Sequence, residues 1–270
     1  MSGSLRFITY LSPSIPLSLF ERVVSHVGEA LSVSTSLHAE TAVSGPGPGA
    51  VDPFTAGAFD VGFLCSPSLS WLQSLRPSPI ELVSAAPVFD DPRAEGRPVY
   101  FADVIVRRGA PARTFEELRA GTFAYNDASS LSDWFSLVEK LASIGDDGTF
   151  FRALFASGSH LDSIELVAAG GVDAAAIDSN ALAHLRRVDP SLAREVRTLE
   201  SWGPFPVQPL VVRAGVDEAI RRGVTTALLS MPPLPALGLV GFAPVDEAFY
   251  LHERAVREAC RPLEAAMRAR

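Results

Sequence analysis

The chain is short of cysteine, of long apolar runs and of positive charge, and each shortage removes a class of protein. Cys65 and Cys260 are the only 2 cysteines among 270 residues, too few for a disulfide framework or a cysteine-built metal centre. Their separation permits one bridge without suggesting it, and both read as buried free thiols. No apolar run reaches the roughly 18 residues of a membrane span. Lys and Arg total 23 against 31 Asp and Glu, a net charge of −8, which argues against a general nucleic-acid surface. An acidic chain still binds an anion locally, because backbone N–H groups at helix starts act whatever the net charge. The opening Met1-Ser2-Gly3-Ser4-Leu5-Arg6 has neither the basic nor the apolar region of a secretory leader. As written the sequence reads as cytoplasmic. A chain whose leader had been cut would be periplasmic or otherwise extracytoplasmic and would read the same.

What is present is ordinary globular composition, 47% apolar and 20% charged, with strand-like and helix-like stretches in alternation. That pattern predicts an α/β fold with a largely parallel sheet. Leu5–Leu11 reads as a first strand. Leu17, Phe20, Val24, Val27 and Leu31 then recur at steps of three and four on one helix face. Ser44-Gly45-Pro46-Gly47-Pro48-Gly49 is a loop by composition. Further strands are expected at 60–65, 99–108, 122–126, 172–178 and 209–213. Helices are expected from Ser66-Pro67, through Trp134 and Leu137, over 161–169, from Ser179 and over 216–229. Thr114 with Glu117 has the spacing of a capping box. Phe249, His252, Val256, Cys260, Leu263 and Met267 form one apolar stripe on a last helix, expected to dock on a core. If the chain forms two lobes, it crosses between them in the strand-like 100–106 and 209–213. Lobe one is then 1–100 with 214–270, and lobe two is 101–213.

Three strand-to-helix junctions carry polar groups. Tyr125-Asn126-Asp127-Ala128-Ser129-Ser130-Leu131-Ser132-Asp133-Trp134 brings hydroxyls and first-turn N–H groups together. Gly158-Ser159-His160 adds an imidazole, and Asp178-Ser179-Asn180 a carboxylate and an amide. A well-capped helix that holds no ligand explains any one of these alone. In α/β sheets, however, ligands lie beyond the carboxyl ends of the strands, where all three fall.

The order and spacing of these pieces resemble the phosphate/phosphite/phosphonate-binding substrate-binding proteins, the binding component of phosphonate ABC transporters. The resemblance also rests on Phe63-Leu64-Cys65-Ser66-Pro67, Pro98-Val99-Tyr100, 171–180 and Pro204-Phe205-Pro206-Val207-Gln208-Pro209. It implies a two-lobed type II periplasmic-binding-protein fold with two hinge strands and a small anionic solute in the interlobe cleft. It implies oxyanion contacts from Ser130 and Ser132, and the expected ligand-binding set adds Ser129, Tyr100, His160, Asp178, Asn180, Gln208, Cys65 and Ser66. An ABC permease is the partner it suggests. The middle hydroxyl of the family's serine-threonine-serine run is Leu131 here, and the glycine after it is Asp133. Where an aminophosphonate binder uses carboxylates to hold an ammonium, this chain has Asn180 and Gln208, which makes such a ligand less expected. If His160 meets the ligand as an imidazolium, its removal costs more at about pH 6 than at about pH 8.

Two other classes of function remain open on the residues. One is a cytosolic enzyme on the same fold, of the menaquinone or thiamine-precursor pathway type, with Cys65 or His160 as reactive group. The other is a ligand-sensing domain. No nucleophile–base spacing, metal constellation, phosphate loop or cofactor motif supports the first. No helix-turn-helix supports DNA binding by the second.

Overall fold

A computed structural model describes residues 4–269. In chain order the elements are β1 (Ser4–Thr9), α1 (Leu17–Leu31), β2 (Ser34–Ala39), β3 (Val61–Phe63), α2 (Ser66–Ser74), β4 (Ile80–Leu82), β5 (Ala86–Phe89) and β6 (Val99–Arg107). Then come β7 (Thr122–Tyr125), α3 (Ser136–Ser143), β8 (Ala153–Ala156), α4 (His160–Ala169), β9 (Ala174–Asp178), α5 (Ser179–Val188), α6 (Pro190–Glu195) and β10 (Val196–Pro206). The chain ends in β11 (Leu210–Arg213), α7 (Glu218–Leu229), β12 (Leu239–Ala243), α8 (Ala248–Ala259) and α9 (Arg261–Arg268).

The residues fall into two compact units. The first runs to Val99 and takes in Pro206–Leu251, and the second is Tyr100–Phe205 with the segment from His252. The chain therefore passes between units at the start of β6, at the end of β10 and inside α8. The sequence reading put the second crossing in 209–213 and kept everything after 213 in lobe one. The units divide instead at Pro206, and the segment from His252 groups with the second. The expected single last helix is broken at Cys260, with Pro262 in the first turn of α9. Its buried face is set by Tyr250, Glu253 and Met267, while His252 is exposed and Cys260 only half-buried.

In the first unit the sheet order is β2-β1-β3-β11-β4. β1 runs parallel to β2 and β3, and β11 runs antiparallel to β3 and β4. The buried stripe of α1 is Leu19, Phe20, Val23, Val24 and Val27, rotated from the expected one, so that Leu17 is exposed. A two-stranded antiparallel pair, β5 with β12, completes this unit.

The second unit carries the sheet β10-β6-β9-β7-β8. β9, β7 and β8 are mutually parallel, in the register Phe123↔Ala174 and Tyr125↔Ala156. β9 is wholly buried and built from three alanines, an isoleucine and Asp178, as befits a central strand covered on both faces. Parallel strands finish at the same sheet edge. Asn126, Ser157 and Asp178 are thus brought to one side, each leading into the chain that starts the next helix. β6 runs antiparallel to β9, pairing Ala102 with Asp178, so its first residues, from Tyr100, lie at that edge too.

Candidate functional site

The first junction follows β7. Asp127 Oδ1 accepts the Ser129 N–H at 2.7 Å and also the Ser129 hydroxyl, an Asx turn that folds the loop back on itself. Residues Leu131–Phe135 then wind as a wide π turn ahead of α3, a distortion that recurs at functional sites. At the second junction the Ser157 and Gly158 N–H groups donate to Tyr125 O at 2.7 Å and Asn126 O at 3.0 Å. Gly158 sits at φ +96°, a conformation that disfavours a side chain, and Ser159 caps α4 by accepting the Asp162 N–H at 3.1 Å. At the third, Asp178 caps α5 through the Asn180 N–H at 2.7 Å, and Ser179 Oγ accepts the Phe101 N–H at 3.2 Å.

These turns bring two side chains and a backbone amide onto one imidazole. Ser132 Oγ lies 3.0 Å from His160 Nε2, and the Asp178 N–H points at the same nitrogen at 3.4 Å. A backbone amide only donates, so Nε2 is the acceptor and the ring proton is on Nδ1. Nδ1 faces Asp133 Oδ2 at 4.0 Å. The Asp133 carboxyl is itself held firmly. It accepts the Asn126 N–H at 2.7 Å and the Trp134 N–H at 2.5 Å, and the Ser130 hydroxyl bonds to it as well.

Burial governs the charge state of this pair. Asp133 is completely buried, and desolvation with repulsion from Asp127 pushes its carboxyl up to about 8 against the pull of its hydrogen bonds. Desolvation pushes His160 down to about 3. Near neutral pH the imidazole is uncharged and the carboxyl largely so. The expectation of an imidazolium at about pH 6 is therefore corrected: a ring with no solvent around it keeps its proton count at one. Two polar atoms of the same neighbourhood, Asn126 Oδ1 and Asn180 Nδ2, are buried with no hydrogen-bond partner among the described residues.

Residues 11–250 match the family described as ABC transporter, phosphonate, periplasmic substrate-binding protein. The chain belongs to this family. The fold agrees with solved structures. A binding-protein component of an ABC phosphonate transporter from Pseudomonas aeruginosa superposes with TM-score 0.82 at 16% identity, covering 99% of this chain and 89% of that one. PhnD1 from Prochlorococcus marinus, solved with methylphosphonate, gives 0.77 at 13% identity over 97% and 100% of the two chains. XAC2383 from Xanthomonas citri, solved with ATP, gives 0.65 at 19% over 98% of both. No curated protein matches the chain. No helix among the described residues is long and apolar enough to cross a membrane.

Of the residues that resemblance to phosphonate-binding proteins singles out, Ser130, Ser132, His160, Asp178 and Asn180 meet within the second unit through the contacts above. Tyr100 is fully buried, its ring 6.1 Å from Phe205. Ser129 differs from the other serines, since both its hydroxyl and its N–H go to Asp127. Cys65, Ser66 and Gln208 belong to the first unit. There Phe63 pairs with Leu210 and the Leu64 N–H donates to Pro209 O at 3.3 Å, so the three residues lie at one end of the β3–β11 pair. Ser66 Oγ and Ser68 Oγ are buried there without a hydrogen-bond partner among the described residues. Sequence reasoning missed the roles of Asn126 and Asp133. A charged residue between Ser132 and Trp134 at an apolar helix start was the available signal, and Asp133 stood only as a departure from the family's glycine.

Proposed function

We propose that the chain binds a small phosphonate-like oxyanion, without transforming it, and delivers it to an ABC permease. The observation that carries this reading is the convergence of Ser132 and the Asp178 N–H, from two helix starts, on the buried Nε2 of His160 at a third. Helix starts supply donors aimed outward from the strand ends. Ser132 has one hydroxyl proton, so it turns from Nε2 to donate to an incoming oxygen, and the Asp178 N–H remains to satisfy the imidazole. Hydrogen bonds to a charged ligand are worth about 1.5–3 kcal/mol each, so a few well-placed donors give useful affinity. That a relative was solved with methylphosphonate supports the ligand class.

A thermal-shift screen of methylphosphonate, phosphite, phosphate and small carboxylates tests the reading, because a ligand of the folded state alone raises Tm. Methylphosphonate is expected to raise it, and Ser132→Ala to weaken calorimetric affinity by roughly tenfold or more. If no oxyanion raises Tm, the reading is wrong. Steady turnover of the ligand would point to an enzyme instead.

A further inference from the structure

The donors at the β7–α3 junction are already partly taken, and the group that takes them is a carboxyl of the chain itself. Asp133 accepts the Asn126 N–H at 2.7 Å, the Trp134 N–H at 2.5 Å and the Ser130 hydroxyl. These are two backbone donors and one side-chain donor of the kind an external oxyanion would use. The carboxyl is completely buried, so water does not screen it. An anion held by the remaining first-turn N–H groups and Ser132 sits within a few ångströms of it. Once Asp133 is ionised, two full charges at that separation repel enough to cost about tenfold or more in affinity even at an effective dielectric of about 20.

We propose that Asp133 gates the ligand by charge, admitting a small oxyanion (a sulfonate, a hydrogen phosphonate or a phosphonate monoester) while its buried carboxyl holds a proton and repelling it, a dianion most strongly, once that proton is lost. The proposal rests on the oxyanion reading above. Its physical content is a proton linkage. A monoanion binds when Asp133 is protonated, and binding holds that proton more tightly. The other groups that bear on the carboxyl are Asp127 on the same loop, Tyr125 at the end of β7 and His160 Nδ1 at the start of α4, whose Nε2 meets the Asp178 N–H. Arg268 of α9 meets the loop at Ala128 O. Of these, His160 is neutral across the working range and Asp127 adds to the repulsion. Asp133 is thus the group whose charge changes near the ligand.

The experiment is calorimetric titration of the full chain with two probes. Methanesulfonate keeps one charge throughout, and methylphosphonate gains a second near neutral pH. Wild type is expected to bind methanesulfonate about tenfold or more tightly at about pH 6 than at about pH 9. Asp133→Asn should bring that ratio to about twofold or less and gain about tenfold or more for methylphosphonate at about pH 9. A measurement without any variant runs beside it: in buffers of different ionisation enthalpy, wild type should take up a proton on binding methanesulfonate at about pH 8.5. An unchanged pH ratio in Asp133→Asn, or no proton uptake by wild type, overturns the proposal while leaving the oxyanion reading in place. If neither probe binds wild type or Asp133→Asn at either pH, the oxyanion reading itself falls and the proposal with it.

Discussion

Ser132 and His160, 28 positions apart in the chain, meet with Oγ 3.0 Å from Nε2 in the interior of the second unit. Because the ring is neutral and its Nε2 is an acceptor, the contact orients the serine rather than charging the site. His160→Ala is therefore expected to weaken methylphosphonate binding by about tenfold, and by the same factor at about pH 6 and about pH 8. Titration calorimetry of wild type and variant at both pH values checks this. A loss clearly larger at the lower pH would mean that the ring carries charge in the complex.

The Asp133–His160 pair also shapes stability. Asp133 rises from its ordinary 3.8 to about 8 in the fold. The native state therefore keeps a proton that the unfolded chain has released, and stability falls as pH climbs towards 8. His160 drops from 6.5 to about 3, so the unfolded chain binds a proton that the native state refuses, and stability falls as pH drops below 6.5. Between about 4 and 6.5 the two slopes oppose each other, and from about 6.5 to 8 Asp133 acts alone. Urea denaturation should show wild type losing on the order of 1–2 kcal/mol over that upper window. Asp133→Asn should lose much less, and parallel curves for the two proteins would contradict the assignment.

The first unit offers a packing test independent of the site. Gly62 lies in β3 between β1 and β11, and a Cβ there would come within 2.5 Å of Phe54 Cζ and 3.4 Å of Val211 Cγ2. Phe54 is itself fully buried and has little room to retreat. Gly62→Ala should cost about 1–3 kcal/mol by overpacking, read as a lowered Tm, and Phe54→Leu in the same chain should recover part of it. A Tm unchanged by Gly62→Ala would show that the aromatic ring yields freely.

The parallel strands β7 and β9 were legible because their period and their polar ends are local. Thr122–Tyr125, Ala174–Asp178 and the helices that follow them lie within the stretches the sequence marked. β10, an 11-residue strand at Val196–Pro206, was not legible, since its half-exposed mix of charged and aromatic residues has no clean alternation. The same holds for β8, whose four residues leave no room for a period to show. The stripe on the last helix failed for another reason. Glu253 is buried and His252 exposed, with Arg257 pairing one oxygen of the glutamate at 2.7 Å, and hydrophobicity alone cannot anticipate a buried ion pair. Ser130, Ser132 and His160 were found as capping residues. That Asp133 would answer them from within needed the path of the π turn, which no spacing rule encodes.

The loop after β7 is pinned from far downstream: Arg268 Nη2 donates to Ala128 O at 2.6 Å across 140 positions of chain. Trp134, in the turn that follows, is bound by Glu264 at 3.3 Å. A ribosome adding roughly 5–20 residues per second delivers those partners some 7–30 s after the loop itself. Throughout that interval the loop has been made but its outer fastening has not. The junction after β7 is thus fastened only well after every serine and histidine of the three junctions has been made.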